Sequence, residues 1–158
     1  MESDLRDYAI RVLELAKENL RRDGVLVPLA FIITANEINL VEMDFQDHAE
    51  KERAYARLVE TARAMNALAL LTLNDAYHTR READLDDYAE GYYPGRLAAE
   101  GAPECILMVL AGPAIATWEL MQPYERTPQG IVFGAPRESS GGEVPFLEGW
   151  ASPGLKPS

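Results

Sequence analysis

Short apolar runs joined by brief connections constrain the fold of this chain more than any other sequence feature. The first run is continuous and β-branched, which is typical of a strand, whereas the Ala and Leu of the third run suit a helix as well. Because most of the connections are too short for a crossover helix, we expect antiparallel pairing. The runs are VLVPLAFIIT (25–34), INLVEMDF (38–45), LALLTLNDAY (68–77), ECILMVLA (104–111), IATWELMQPYER (115–126) and IVFGA (131–135).

Alternation within the second run predicts a strand with one buried and one solvated face. The side chains on one side of this strand are Val41, Met43 and Phe45, and those on the other are Leu40, Glu42 and Asp44. Such a period of two residues is typical of a strand that is covered on one face only. Leu40 is therefore expected on the solvated side, together with two acids.

Two segments show the spacing of apolar residues that an amphipathic helix requires. The first runs from Asp4 to Arg22, and Gly24 can take the left-handed conformation that often ends a helix. The second begins after Asp47, a candidate N-cap, and Glu50 is placed to complete a capping box. Both helices are nearly neutral, because their acids are interleaved with bases.

These elements predict an α+β domain in the order α-β-β-α-β-long loop-β-β-β. We expect an antiparallel sheet of about five or six strands with both amphipathic helices on one face. Residues 1–136 are expected to form this single domain, which has an ordinary size. Frequent Gly, Ser and Pro residues predict a flexible tail over residues 137–158, in which Phe146, Leu147 and Trp150 could provide one anchoring point.

The net charge of the chain is −11, and the acids are unevenly distributed. Residues 75–104 hold eight acids and three bases, and residues 37–44 hold three acids and no base. Direct binding to nucleic acid is disfavoured, since it requires clustered Lys and Arg against the phosphates. With no long apolar segment and no leader-like start, we expect a cytoplasmic protein that does not bind membranes.

Few residues offer metal, cofactor or catalytic chemistry. Cys105 is the single cysteine and lies within an apolar run, which predicts a buried, unreactive thiol. His48 and His78 are too few and too far apart to form a zinc site. The acids from Asp84 to Glu90 do not match the spacing of a calcium-binding loop. Since the phosphate-binding and nucleophile motifs are also missing, we expect no metal, no cofactor and no identifiable catalytic residue.

The long connection 79–103 holds the side chains that we assign to partner binding, which are Tyr88, Tyr92, Tyr93 and Arg96. Tyrosine and arginine carry much of the binding energy at protein interfaces, and nearby glycines and a proline would display them at a defined angle. The same residues could instead pack on the protein's own sheet or form an active-site lid. Long connections in compact domains are often functional, which favours this segment as a contact site.

The sequence therefore predicts a small non-catalytic protein-binding or accessory module that acts as a homodimer or with another protein. One alternative is an acidic mimic of nucleic acid that inhibits a DNA- or RNA-binding protein. The interleaved charges of the helices argue against it, because a mimic would show long unbroken acidic faces. A second alternative is an enzyme of unrecognised class that uses Asp75, His78 and Arg96 at the end of the sheet.

Overall fold

The computed structural model describes residues 2–77, 104–141, 147 and 150. Within these residues the protein has two helices and a seven-stranded antiparallel open sheet, so the predicted α+β class and the predicted order of elements are confirmed. Five or six strands were predicted, and the additional strand is the last one, Arg137–Ser140. The elements are α1 (Glu2–Asp23), β1 (Leu29–Ile33), β2 (Ile38–Glu42), α2 (His48–Ala64), β3 (Ala69–Tyr77), β4 (Glu104–Gly112), β5 (Ile115–Thr127), β6 (Gly130–Phe133) and β7 (Arg137–Ser140).

The strand order places β2 at one edge of the sheet and the pair β6 and β7 at the other. The order is β2-β1-β3-β4-β5-β6, and β7 also pairs with β5. β6 lies against Tyr124–Thr127 and β7 lies against Trp118–Met121, so the two short strands follow one another along the same side of β5. Together they form one interrupted edge, which we call the β6–β7 edge.

The two helices lie on opposite faces of the sheet, which corrects the expectation that they share one face. Leu71 and Leu73 of β3 pack with α1, whereas Leu70 packs with α2. Ile106 and Val109 of β4 are divided between the helices in the same way. Successive residues of a strand point to opposite faces, so these contacts place the helices on the two sides. The physical reason is that β3 and β4 are apolar in both directions and need cover on both faces.

Hydrogen bonds at the helix ends follow the sequence closely. Gly24 has a φ of 77° and its N–H donates to the carbonyl of Leu20 at 2.8 Å, which ends α1. At the start of α2, Asp47 Oδ1 accepts from the N–H of Glu50 at 2.8 Å. The carboxylate of Glu50 accepts from the N–H of Gln46, one residue before the ideal partner in a capping box. These bonds satisfy backbone groups that the helix ends would leave unpaired.

Part of the segment that was expected to be a flexible tail belongs to the fold. Arg137–Ser140 pair with β5. Leu147 and Trp150 are buried in the core cluster that contains α2, and Trp150 Nε1 donates to the carbonyl of Ala111 at 3.0 Å. Burial of these two large apolar side chains explains how a polar segment is held, and it matches the anchoring point that the sequence suggested. Phe146, the third residue of that suggestion, lies outside the described residues.

Candidate functional site

The segment that carries the predicted contact residues is not part of the described structure. His78, named in the enzyme alternative, also lies outside the described residues. These assignments therefore stay predictions. The residues assigned to partner binding that lie outside the described residues are Tyr88, Tyr92, Tyr93 and Arg96.

Four polar side chains meet near one end of β3, β4 and β5, and we call Asp75, Glu104, Tyr124 and Arg126 the strand-end cluster. The hydroxyl of Tyr124 donates to Asp75 Oδ1 at 2.5 Å. Arg126 Nε donates to Glu104 Oε2 at 2.8 Å, and Arg126 Nη1 donates to the carbonyl of Gly24 at 2.8 Å. The cluster therefore ties three neighbouring strands to the end of α1.

Partial burial shifts the protonation of this cluster. Although Asp75 is exposed as a residue, partial burial of its carboxyl group raises its pKa by desolvation. The hydrogen bond from Tyr124 opposes that shift, and the charge of Glu104 adds to it. Desolvation also raises the pKa of Tyr124, and the bond to Asp75 adds to this, so the phenol stays protonated. Burial raises the pKa of Cys105 to about 12, which agrees with the prediction of a buried, unreactive thiol.

The chemistry of the strand-end cluster is mainly that of a structural tie. Its acids face a phenol and a guanidinium that belong to the same cluster, so its strongest polar groups are engaged with one another. Among the described residues, no group of three or more His, Cys, Asp or Glu side chains could hold a metal ion. In the same part of the chain, neither helix is long and apolar enough to cross a membrane.

A second candidate is the edge strand β2, whose residues Ile38–Glu42 we call the β2 edge surface. Ile38 and Leu40 are 46% and 57% exposed, although both are large apolar side chains. They lie on the α1 face of the sheet, since they pair with Ile33 and Phe31, which pack in the α1 core. The predicted position of Leu40 on the solvated side is confirmed. Exposed apolar side chains on an edge strand are typical of an interaction surface.

The outer backbone groups of the β2 edge surface are open to pairing. β2 pairs only with β1 among the described strands. In an antiparallel ladder, alternate residues bond to the same neighbour. The N–H of Met43 donates to the carbonyl of Pro28 at 2.9 Å, so Met43 faces β1. Ile38, Leu40 and Glu42 lie at the intervening positions and therefore point their N–H and C=O groups outward.

Acidic side chains flank the exposed apolar residues of β2. Glu37, Glu42 and Asp44 are all exposed. No Lys or Arg occurs from Glu37 to Glu50, so no basic residue within this stretch balances them. The β2 edge surface thus combines an apolar centre, open backbone groups and a negative rim.

The opposite edge is interrupted by a β-bulge. Gly134, Ala135 and Pro136 separate β6 from β7 and stand opposite only two residues of β5, Gln122 and Pro123. The buried side chain of Gln122 donates from Nε2 to the carbonyls of Gly134 at 2.7 Å and Pro123 at 3.2 Å. The carbonyl of Pro123 accepts from the N–H of Gly134, so the backbone at this position directs its polar groups toward the β6–β7 edge. The N–H that proline lacks would point the same way. An inner strand can therefore hold a proline without losing a bond to β4.

A groove of about 650 Å³ lies between α1 and the β6–β7 edge. Leu13 and Leu120 contribute to its apolar lining. Lys17 Nζ and the guanidinium of Arg21 lie 4.9 and 4.7 Å from the ring centre of Phe133 on β6. Cations at these distances attract an aromatic face, so both side chains fasten the β6–β7 edge to α1.

No family model, curated protein sequence or solved structure matches this chain. Function therefore has to be inferred from the surfaces themselves. Sequence reasoning found the acidic stretch 37–44 and the solvated position of Leu40, but it did not find the open edge. Edge position depends on the order in which strands pair, and the local pattern of a strand does not encode that order.

Proposed function

We propose that this protein is a non-catalytic protein-binding module, acting as an accessory subunit or homodimer, with the β2 edge surface as its contact site. The observation that carries the proposal is the exposure of Leu40 and Ile38 on a regular edge strand. Proteins usually protect open edges with proline, with charged side chains, above all lysine, or with a bulge. β2 contains no proline or lysine and one charged residue, Glu42, and its pairing with β1 has no register shift. A covering partner explains why this edge is left apolar and regular.

The proposal places the protein in the cytoplasm, where the lone thiol of Cys105 stays reduced. The nucleic-acid mimic and the enzyme alternative gain no specific support from the described residues and stay predictions.

Two matched lysine substitutions test the proposal. Leu40 and Val132 are 57% and 55% exposed, and they lie on opposite edges of the sheet. Leu40→Lys places a charge in the proposed contact, whereas Val132→Lys places the same charge outside it. Because both positions are exposed, each change should alter the free energy of unfolding by only about 0.5 kcal/mol.

The readout compares the wild type and both variants as bait in the native host's lysate, and by light scattering as purified proteins. We expect Leu40→Lys to lose a captured protein or the dimer, and Val132→Lys to keep it. Two results together would overturn the proposal. The wild type would be monomeric, and every protein that it captures would also be captured by Leu40→Lys.

A further inference from the structure

We infer that the β2 edge surface binds an extended segment of another protein as an added β-strand, and that this segment carries Lys or Arg beside apolar residues. The inference rests on the proposed protein-binding function and specifies its geometry and its partner. It depends on three features of the described residues, which are the outward backbone groups, the exposed apolar side chains and the negative rim.

The backbone of β2 provides the hydrogen-bonding pattern for an added strand. Ile38, Leu40 and Glu42 alternate along the edge, and each points one N–H and one C=O outward. An extended segment can pair with these groups in the way that sheet edges recognise peptides, in which main-chain bonds hold the peptide and side chains give specificity. α1 and α2 lie on the two faces of the sheet, and within the described residues no strand lies on this outer side of β2.

The side chains of β2 specify what the added strand carries on the α1 face. Ile38 and Leu40 are exposed there, next to the partly buried Phe31 and Tyr8, whose rings meet edge to face with centroids 6.1 Å apart. Apolar side chains on the added strand would extend this group and remove it from water. Cross-strand apolar pairs of this kind stabilise a sheet.

The charges at the rim select a basic partner over a second copy of this chain. If two β2 strands paired antiparallel around Leu40, Glu37 of one copy would stand opposite Met43 of the other, between its Glu42 and Asp44, so acids of both copies would gather at the same ends. Like charges on neighbouring strands repel and oppose that pairing. Lys or Arg on the added strand would instead oppose these carboxylates, and such complementarity raises both specificity and the rate of association.

The β6–β7 edge does not offer the same binding surface. The bulge at Gly134–Pro136 breaks the regular spacing of outward groups, and a proline there lacks an N–H. Arg137–Ser140 are exposed and mainly polar, so they provide little apolar surface to cover. Strand addition is therefore assigned to β2 alone.

Two capped heptapeptides test the inference on the full chain. One is Lys-Thr-Lys-Thr-Val-Thr-Val, whose lysines and valines share one strand face and, in antiparallel pairing, meet Asp44, Glu42, Leu40 and Ile38 in turn. The other carries Glu in place of each Lys. We expect the Lys/Val peptide to bind, to shift the amide NMR signals of Ile38, Leu40 and Glu42, and to bind more weakly as salt is raised. Failure of the Lys/Val peptide to bind would overturn the inference, as would equal binding of both peptides or signal shifts centred on the β6–β7 edge.

A proline substitution tests whether the backbone carries the binding. Leu40→Pro removes the outward N–H, whereas Leu40→Thr removes the same side chain and keeps that N–H. Loss of a main-chain bond should weaken Leu40→Pro by about tenfold relative to Leu40→Thr. The amide spectra of both variants show whether each one is folded, and Leu40→Thr still tests the apolar contribution if Leu40→Pro is not.

Equal binding by a folded Leu40→Pro and by Leu40→Thr would reject strand addition. If Leu40→Lys still abolished partner capture, the proposed protein-binding function would stand without strand addition. If Leu40→Lys changed neither partner capture nor peptide binding, both the function and the inference would fall.

Discussion

At one edge of the sheet, β2 presents Ile38 and Leu40 on an uninterrupted strand, whereas at the other edge a bulge separates β6 from β7 and the last strand is polar. Both edges end a sheet and expose backbone groups. Among the described residues, the β6–β7 edge is in addition held by the side chain of Gln122 and by α1. The β6–β7 edge is therefore the less suited of the two to further pairing, and β2 is the edge at which we propose it.

The largest change in stability is expected when the anchor beyond β7 is removed. Trp150→Ala deletes a buried indole and its bond to the carbonyl of Ala111, so the free energy of unfolding should fall by about 3–5 kcal/mol in urea denaturation. Trp150→Phe serves as the control, because it keeps an aromatic ring and should cost less. A loss below about 1 kcal/mol for Trp150→Ala would mean that this side chain does not anchor the segment beyond β7.

A smaller loss is expected when the bulge loses its internal hydrogen bonds. Gln122→Met keeps the length of the side chain but leaves the carbonyl of Gly134 without this donor, which should cost about 1–3 kcal/mol in thermal or urea unfolding. Hydrogen exchange at the N–H of Gly134 should become faster. Gln129→Met, at an exposed turn, is the matched control and should stay near the wild type. Equal effects of the two changes would contradict a locking role for Gln122.

The smallest effect is expected in the strand-end cluster, and it should depend on pH. Because the pKa of Asp75 is raised, its carboxyl group stays protonated to a higher pH in the native state than in the unfolded chain. Relative to Asp75→Asn, the wild type should be most stable below the ordinary pKa of 3.8 and should lose that advantage as the pH rises through the raised value. Urea denaturation of both proteins across this window measures the difference.

The cluster lies at the strand ends rather than along either sheet edge, so this titration also provides a reference for the edge comparison. A stability difference that stays constant with pH, or that grows in favour of the wild type as the pH rises, would contradict the shift. Lysine substitutions on the two edges should leave the titration of Asp75 unchanged, because neither Leu40 nor Val132 belongs to the cluster.

Local features of the fold were predictable because local chemistry determines them. The left-handed Gly24 and the N-cap Asp47 follow from contacts within a few residues of the chain, and the side of the strand on which Leu40 lies follows from the alternating pattern around it. The buried thiol of Cys105 follows from the apolar run around it.

Long-range features were harder to predict from this sequence. The helices were expected on one face because short connections do not specify which side of the sheet each helix covers. Apolar residues fall on both sides of β3, and this pattern was the available indication that both faces of the sheet are covered. β7 was missed because its residues, RESS, resemble a polar linker, and its pairing depends on distant residues of β5. The open edge of β2 likewise results from the global strand order, which also decides where the proposed contact lies.

The central position of β3 has a consequence for how quickly the chain reaches its native state. β1 and β2 form one hairpin, and β4, β5 and β6 form a meander, so each group can assemble from neighbouring residues. β3 pairs with β1 on one side and with β4 on the other, and residues 78–103 separate it from β4. Closing such a distant pairing costs chain entropy before it yields contacts. We therefore expect insertion of β3 between the two groups to be the slow step of folding.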